Sequence, residues 1–96
     1  MSHHPTTSGW HVYIVYCRDG TYYTGIARDP AKRLGEHNSA NGGAKYTRSR
    51  RPVILVYVEP AASRSAAAKR EYQLKKLPLE KKKLLIGALS AVRSEE

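Results

Sequence analysis

Residues 12 to 26 read V-Y-I-V-Y-C-R-D-G-T-Y-Y-T-G-I, a stretch that holds four of the chain's seven tyrosines, in a protein without phenylalanine. Residues 10 to 17 and 22 to 27 are rich in Val, Ile, Tyr and Trp on either side of Arg18-Asp19-Gly20, which predicts a β-hairpin. A two-residue Asp19-Gly20 turn would pair Tyr13 with Ile26 and put Tyr13 and Tyr23 on opposite faces. A three-residue loop closed by Gly20 in the left-handed conformation would pair Tyr13 with Gly25 and put both tyrosines on one face. The pattern of residues leaves both registers open.

Downstream, Asp29-Pro30 is a helix-opening pair, with a helix expected over Ala31 to His37 or Asn38, where Arg33 and His37 share a face. Ser39 to Arg51 contains Gly-Gly and several cations without periodicity and reads as a long surface loop. Pro52 to Glu59, P-V-I-L-V-Y-V-E, reads as a central strand buried on both faces. Ser63 to Leu77 reads as a helix that Pro78 ends. A last helix follows to about Leu89, with Leu84, Leu85, Ala88 and Leu89 facing inward. The expected fold is α/β: a small three-stranded antiparallel-type sheet flanked by helices, in the order strand, strand, helix, strand, helix, helix. The expected domain covers residues 10–89, between flexible tails at 1–9 and 90–96.

Ninety-six residues allow one core, and no apolar run reaches the roughly 18 to 20 residues of a membrane span. The N-terminus lacks the features of a secretory signal and Cys17 is the only cysteine, so a cytoplasmic protein is expected. Seventeen Lys and Arg against eight Asp and Glu give a net charge of +9, the footprint of a polyanion-binding protein. Nucleic acid is the leading partner. An acidic membrane surface fits less well, because no helix shows large apolar residues interleaved with the cations.

Phosphodiester hydrolysis would need an activated water, cations near the non-bridging oxygens and usually a divalent metal. With Asp19 in a turn, Asp29 at a cap and Glu95 and Glu96 at the end of the chain, Glu36, Glu59, Glu71 and Glu80 are the candidate ligands. No acidic pair suggests a two-metal site. One glutamate with several waters would suit Mg²⁺.

Val12-Tyr13-Ile14, then Tyr23-Thr24-Gly25 with the tyrosines ten apart, Arg33 ten further on, His37 four after that, and Glu71 in a later helix resemble the GIY-YIG nucleases over roughly residues 10 to 89. The fragments Y-T-G-I, R-L-G-E-H-N, G-A-K-Y-T-R and K-R-E-Y-Q-L-K-K-L are similar to the small stand-alone bacterial proteins of that family, the UPF0213 and Slx1-like type. The resemblance implies a divalent-metal-dependent DNA endonuclease using Mg²⁺ or Mn²⁺. By that resemblance, Tyr13 or Tyr23 orients or deprotonates the attacking water. Arg33 neutralises the phosphate, His37 supplies a second polar group and Glu71 holds the metal. His11 stands where the first motif has glycine, and Ile26 where some relatives carry lysine, so Lys32, Lys45 or His37 would supply that charge. If the two tyrosines share a site, the three-residue loop is required, and Gly25 would leave room for a phosphate.

The basic segment Lys45-Tyr46-Thr47-Arg48-Ser49-Arg50-Arg51 places one aromatic among four cations, as suits backbone contacts with a stacked base. With Lys32 and Asn38, it makes Lys45, Tyr46, Thr47, Arg48, Arg50 and Arg51 the expected nucleic-acid contacts, with single-stranded DNA the favoured substrate. The alternatives are a non-catalytic nucleic-acid-binding module and a structure-specific nuclease subunit that needs a protein partner. Cys17 reads as a plain strand residue, Lys81-Lys82-Lys83 as a solvated helix face, and Glu71 alone could equally serve an i, i+4 pair with Lys75.

Overall fold

The computed structural model describes residues 9–39 and 45–94. The elements are β1 (His11–Cys17), β2 (Tyr22–Ala27), α1 (Pro30–Asn38), α2 (Lys45–Arg48), β3 (Val53–Pro60), α3 (Arg64–Lys76) and α4 (Leu79–Ser94). The three strands form an antiparallel sheet in the order β2-β1-β3. The expected α/β order is therefore present, with α2 as an added short helix inside the segment expected to be loop. The backbone of Lys45 to Arg48 closes one helical turn there.

The hairpin adopts the three-residue loop. Tyr13 pairs with Gly25 and Val15 with Tyr23, the Cys17 N–H donates to the Thr21 carbonyl at 2.8 Å and the Gly20 N–H to the Cys17 carbonyl at 2.9 Å. Two local features select this register. Gly20 takes φ +88°, which costs a glycine little, and Asp19 Oδ1 accepts from both the N–H and the hydroxyl of Thr21 at 3.1 and 2.6 Å.

The central strand is β1. The run Val12 to Val15 is buried on both faces, whereas β3 lies at an edge and leaves Ile54 56% exposed. This corrects the central position expected for Pro52 to Glu59. Both runs are apolar and β-branched, but the hairpin occupies only one edge of β1, and β3 fills the other and ends the sheet. A bulge between Ile14 and Val15 keeps both β3 halves in register with β1.

Alternation along β1 divides the interior in two. Tyr13, Val15 and Cys17 meet Val53, Leu55, Tyr23 and Leu34 of α1 on one face. Val12 and Ile14 meet Ala67 and Leu74 of α3, with Leu85 and Ile86 of α4, on the other. Leu84 is 69% exposed, contrary to its expected inward position. The half-buried stripe of α4 runs through positions 82, 85 and 86, and residue 84 lies off that helical face. The side chains of Ala88 and Leu89 lie outside the described residues.

Caps set the helix ends that position the site. Asp29 Oδ1 accepts from the Lys32 N–H at 3.1 Å with Pro30 opening α1, and Ser63 Oγ accepts from the Ala66 N–H at 3.0 Å to open α3. At the other end of α1, the Asn38 amide clips the backbone of Val53. Its Nδ2 donates to the carbonyl at 3.0 Å and its Oδ1 accepts from the N–H at 2.7 Å. The last turn of α1, which carries His37, is thereby tied to the start of β3.

Candidate active site

On the α1 face of the sheet, the Tyr13 hydroxyl lies 2.8 Å from His37 Nε2, and His37 Nδ1 lies 2.8 Å from Thr47 Oγ1. Tyr13 is 2% exposed, and His37 and Thr47 are fully buried. One polar chain thus links β1, α1 and α2. A neutral imidazole donates at one nitrogen and accepts at the other, so either tautomer satisfies both hydroxyls. Tyr23 is half-buried and its ring meets that of His37 edge to face, with ring centroids 5.4 Å apart at 69°. Both motif tyrosines therefore border the same histidine.

Gly25 has a different use from the one expected. A Cβ built on it would lie 2.5 Å from the Tyr13 hydroxyl oxygen and 2.7 Å from its Cζ. The phenol of Tyr13 lies across this residue and takes the space assigned to a phosphate. Glycine is needed so that the phenol can pass this close to β2 and reach His37.

Arg33 stands one turn before His37 and pairs with Glu36 at 2.8 Å. Its guanidinium also acts on the Tyr13 hydroxyl, partly opposing the effect of burial there. Burial, followed by the neighbouring Tyr23, pushes Tyr13 up to about 12, so its phenol is protonated at neutral pH. Burial and then the charge of Arg33 hold His37 below its ordinary value, with Glu36 opposing. The imidazole is neutral at pH 7 and can accept a proton.

Glu71 on α3 is half-buried and pairs with Lys75 at 3.2 Å, the expected i, i+4 partner. Lys75 Nζ stands 6.0 Å from the centre of the Tyr23 ring, and the charge of Glu71 contributes to the raised pKa of Tyr13. Of the other acids considered, Glu36 is held by Arg33, Glu59 by Arg70 and Tyr57 at 2.7 and 2.6 Å, and Glu80 lies exposed in the first turn of α4. Among the described residues no group of three His, Cys, Asp or Glu could enclose a metal. One carboxylate with several waters is what a hydrated divalent ion can accept, and Glu71, on the helix beside Tyr23, is the acid whose charge reaches Tyr13.

The expected nucleic-acid contacts separate. Lys32 is exposed and, with Ala27, Arg28, Asp29, Arg33 and Glu36, lines a cleft of about 220 Å³. Arg48 is exposed. Arg50 donates to Asp19 Oδ2 at 2.8 Å and Arg51 donates to the Ser39 carbonyl, so both brace the hairpin loop and the end of α1. Asn38 is spent on Val53 and Thr47 on His37. The side chains of Lys45 and Tyr46 lie outside the described residues. The partnership of Thr47 with His37 had no sequence signal, because a buried hydroxyl ten residues away in an aperiodic segment looks like any other threonine.

Residues 9–83 match the family described as the GIY-YIG catalytic domain. A UPF0213 protein of Desulfotalea psychrophila is 57% identical over 79 residues, which span 82% of this chain and 72% of that one. One of Halobacterium salinarum is 51% identical over 75 residues, 78% of this chain and 96% of that one. The solution NMR structure of the UPF0213 protein from Bacillus halodurans superimposes with a TM-score of 0.53 at 40% identity, covering 82% and 83% of the two chains. By sequence across most of its length and by fold, the chain belongs to the GIY-YIG family, among its small UPF0213 proteins.

Proposed function

We propose that the protein is a divalent-metal-dependent DNA endonuclease that hydrolyses phosphodiester bonds, with Tyr13, Tyr23, Arg33, His37 and Glu71 at the reacting phosphate. The observation that carries the reading is the buried chain from Tyr13 through His37 to Thr47, with Arg33 acting on the same hydroxyl. The neutral imidazole satisfies the buried phenol and at the same time offers an acceptor for its proton.

With Nδ1–H donating to Thr47, His37 presents Nε2 as an acceptor to Tyr13. As a water oxygen attacks phosphorus, its proton passes to the Tyr13 oxygen while the Tyr13 proton moves to His37 Nε2. No free tyrosinate is needed, which suits a phenol whose pKa stands near 12. Arg33 neutralises the charge gathering on the non-bridging oxygens, and half-buried Tyr23 orients the attacking water. Glu71 would hold Mg²⁺ or Mn²⁺, which when bound supplies Lewis-acid polarisation of the phosphate. The exposed cations Lys32 and Arg48 would meet the backbone. Single-stranded DNA is the proposed substrate, because the basic segment 45–51, with Tyr46 among its cations, suits an open strand.

The test is incubation of the purified protein with end-labelled single-stranded and duplex DNA in Mg²⁺ or Mn²⁺, beside an EDTA control and Glu71→Ala. Metal-dependent internal cuts, absent from the variant, are expected. Tight, salt-sensitive binding without cleavage of any DNA would overturn the enzyme and leave a binding module.

A further inference from the structure

The chain's one tryptophan has no part in the relay. Trp10 stands just before β1, where its carbonyl accepts from the Ala61 N–H at 2.9 Å, and one side of its ring packs on the α3-face core. Two guanidinium groups approach that indole: Arg28 at 5.4 Å and Arg64 at 5.5 Å from the ring centre. Both arginines are exposed, and neither forms an ion pair with an acid among the described residues.

These side chains come from three places in the fold: the start of β1, the link from β2 to α1, and the first turn of α3. Folding alone gives little reason to gather them. Arg64 occupies the turn where the helix dipole favours anions, and α3 carries no acid there. Two exposed cations on one ring, neither paired with an acid among the described residues, leave both charges open to an anion. The indole holds both arginines in place by cation–π contact, reducing the conformational freedom an anion would have to freeze. Arg28 also lines the cleft that contains Lys32 and Arg33, and Arg33 acts on Tyr13. Arg28, Lys32 and Arg33, with Asp29 and Glu36 among them, therefore carry the basic side chains from the relay toward Trp10.

We propose that Trp10, Arg28 and Arg64 form a second nucleic-acid contact site, which grips backbone phosphates of the strand one or more nucleotides away from the bond to be cut. The assignment rests on the nuclease reading for its direction along the strand, but it can be tested without cleavage. Because Trp10 is the only tryptophan, its emission reports this site alone.

The experiment titrates the full chain with a fluorescein-labelled oligothymidylate in EDTA, following Trp10 emission and label anisotropy together. Both signals are expected to saturate at the same midpoint. Arg28→Gln combined with Arg64→Gln should weaken binding about tenfold at low salt and reduce the slope of log K against log salt by about 1 to 1.5, the share of two phosphate contacts on a single strand. An unchanged Trp10 emission during binding, or a double variant with wild-type affinity and salt slope, overturns the site. Cleavage in Mg²⁺ or Mn²⁺ is scored separately. Binding with the expected Trp10 response but no cleavage refutes the nuclease and retains the anchor. Cleavage with an unaltered double variant does the reverse, and no binding to any strand refutes both.

Discussion

Tyr13 and His37, 24 residues apart in the chain, meet through a buried hydrogen bond of 2.8 Å. Tyr13→Phe keeps the ring that packs over Gly25 and deletes only the hydroxyl. Cleavage is expected to fall by about 10²- to 10⁴-fold, the usual contribution of proton transfer. The imidazole left without its partner should cost about 1–3 kcal/mol in urea denaturation. Wild-type turnover in this variant would remove Tyr13 from the relay.

His37 sets a pH dependence of known sign. Its folded pKa lies below the ordinary value of 6.5 because burial and Arg33 disfavour the imidazolium. Below that value the unfolded chain binds the proton first, so stability is full above pH 6.5 and declines as pH falls toward the folded pKa. Activity should be lost on the same side, as Nε2 becomes protonated and can no longer accept from Tyr13. Denaturation and cleavage profiles measured from pH 5 to 8 should fall together on the acid side, and His37→Gln should remove the stability limb.

Tyr13 gives the opposite limb. Its pKa is raised from 10.0 to about 12, so between those values the unfolded chain ionises first and stability falls as pH rises. Tyrosinate absorbance should show a component near 12 that Tyr13→Phe removes. A titration identical in the two proteins would mean that the phenol is not buried in this way.

How far the site could be read in advance follows the distance between its parts. Tyr13 and Tyr23 belong to one hairpin and Arg33 and His37 to one helix face, so local rules bring each pair close. The register that unites the tyrosines turns on the Asp19 side chain bonding to Thr21, a detail that alternation along the strands does not encode. Which strand is central was not legible for a similar reason: residues 12–17 and 53–58 are both apolar, and only the pairing of β3 with the free edge of β1 separates them. Thr47 was expected to contact nucleic acid, and its partnership with His37 escaped because the two are separated by a segment with no periodicity. Gly25 was noticed, but its use depends on where the Tyr13 ring lies, which is a packing fact.

Gly25→Ala tests that packing. The added methyl would meet the buried Tyr13 phenol at 2.5 Å, closer than contact allows, and Thr24 and Gly25 are buried in the strand. The expected destabilisation is about 1–3 kcal/mol, measured by chemical denaturation. Cleavage should drop further than stability alone explains, because the hydroxyl must move away from His37. A variant with normal stability and activity would show that the phenol has another place to go.

Glu71→Gln separates metal binding from every structural role of this residue. Glutamine keeps the size of the side chain and removes its charge, and among the described residues Glu71 forms one ion pair, with Lys75 one turn along α3. Such a pair contributes about 0.3–0.5 kcal/mol, so the melting temperature should barely change. Loss of one negative charge should leave DNA affinity in EDTA equal or slightly higher. Cleavage should vanish, and calorimetric titration with Mn²⁺ should lose the binding heat seen with the wild type. If the variant still binds Mn²⁺ and cuts, the metal ligand lies elsewhere and Glu71 serves only its lysine.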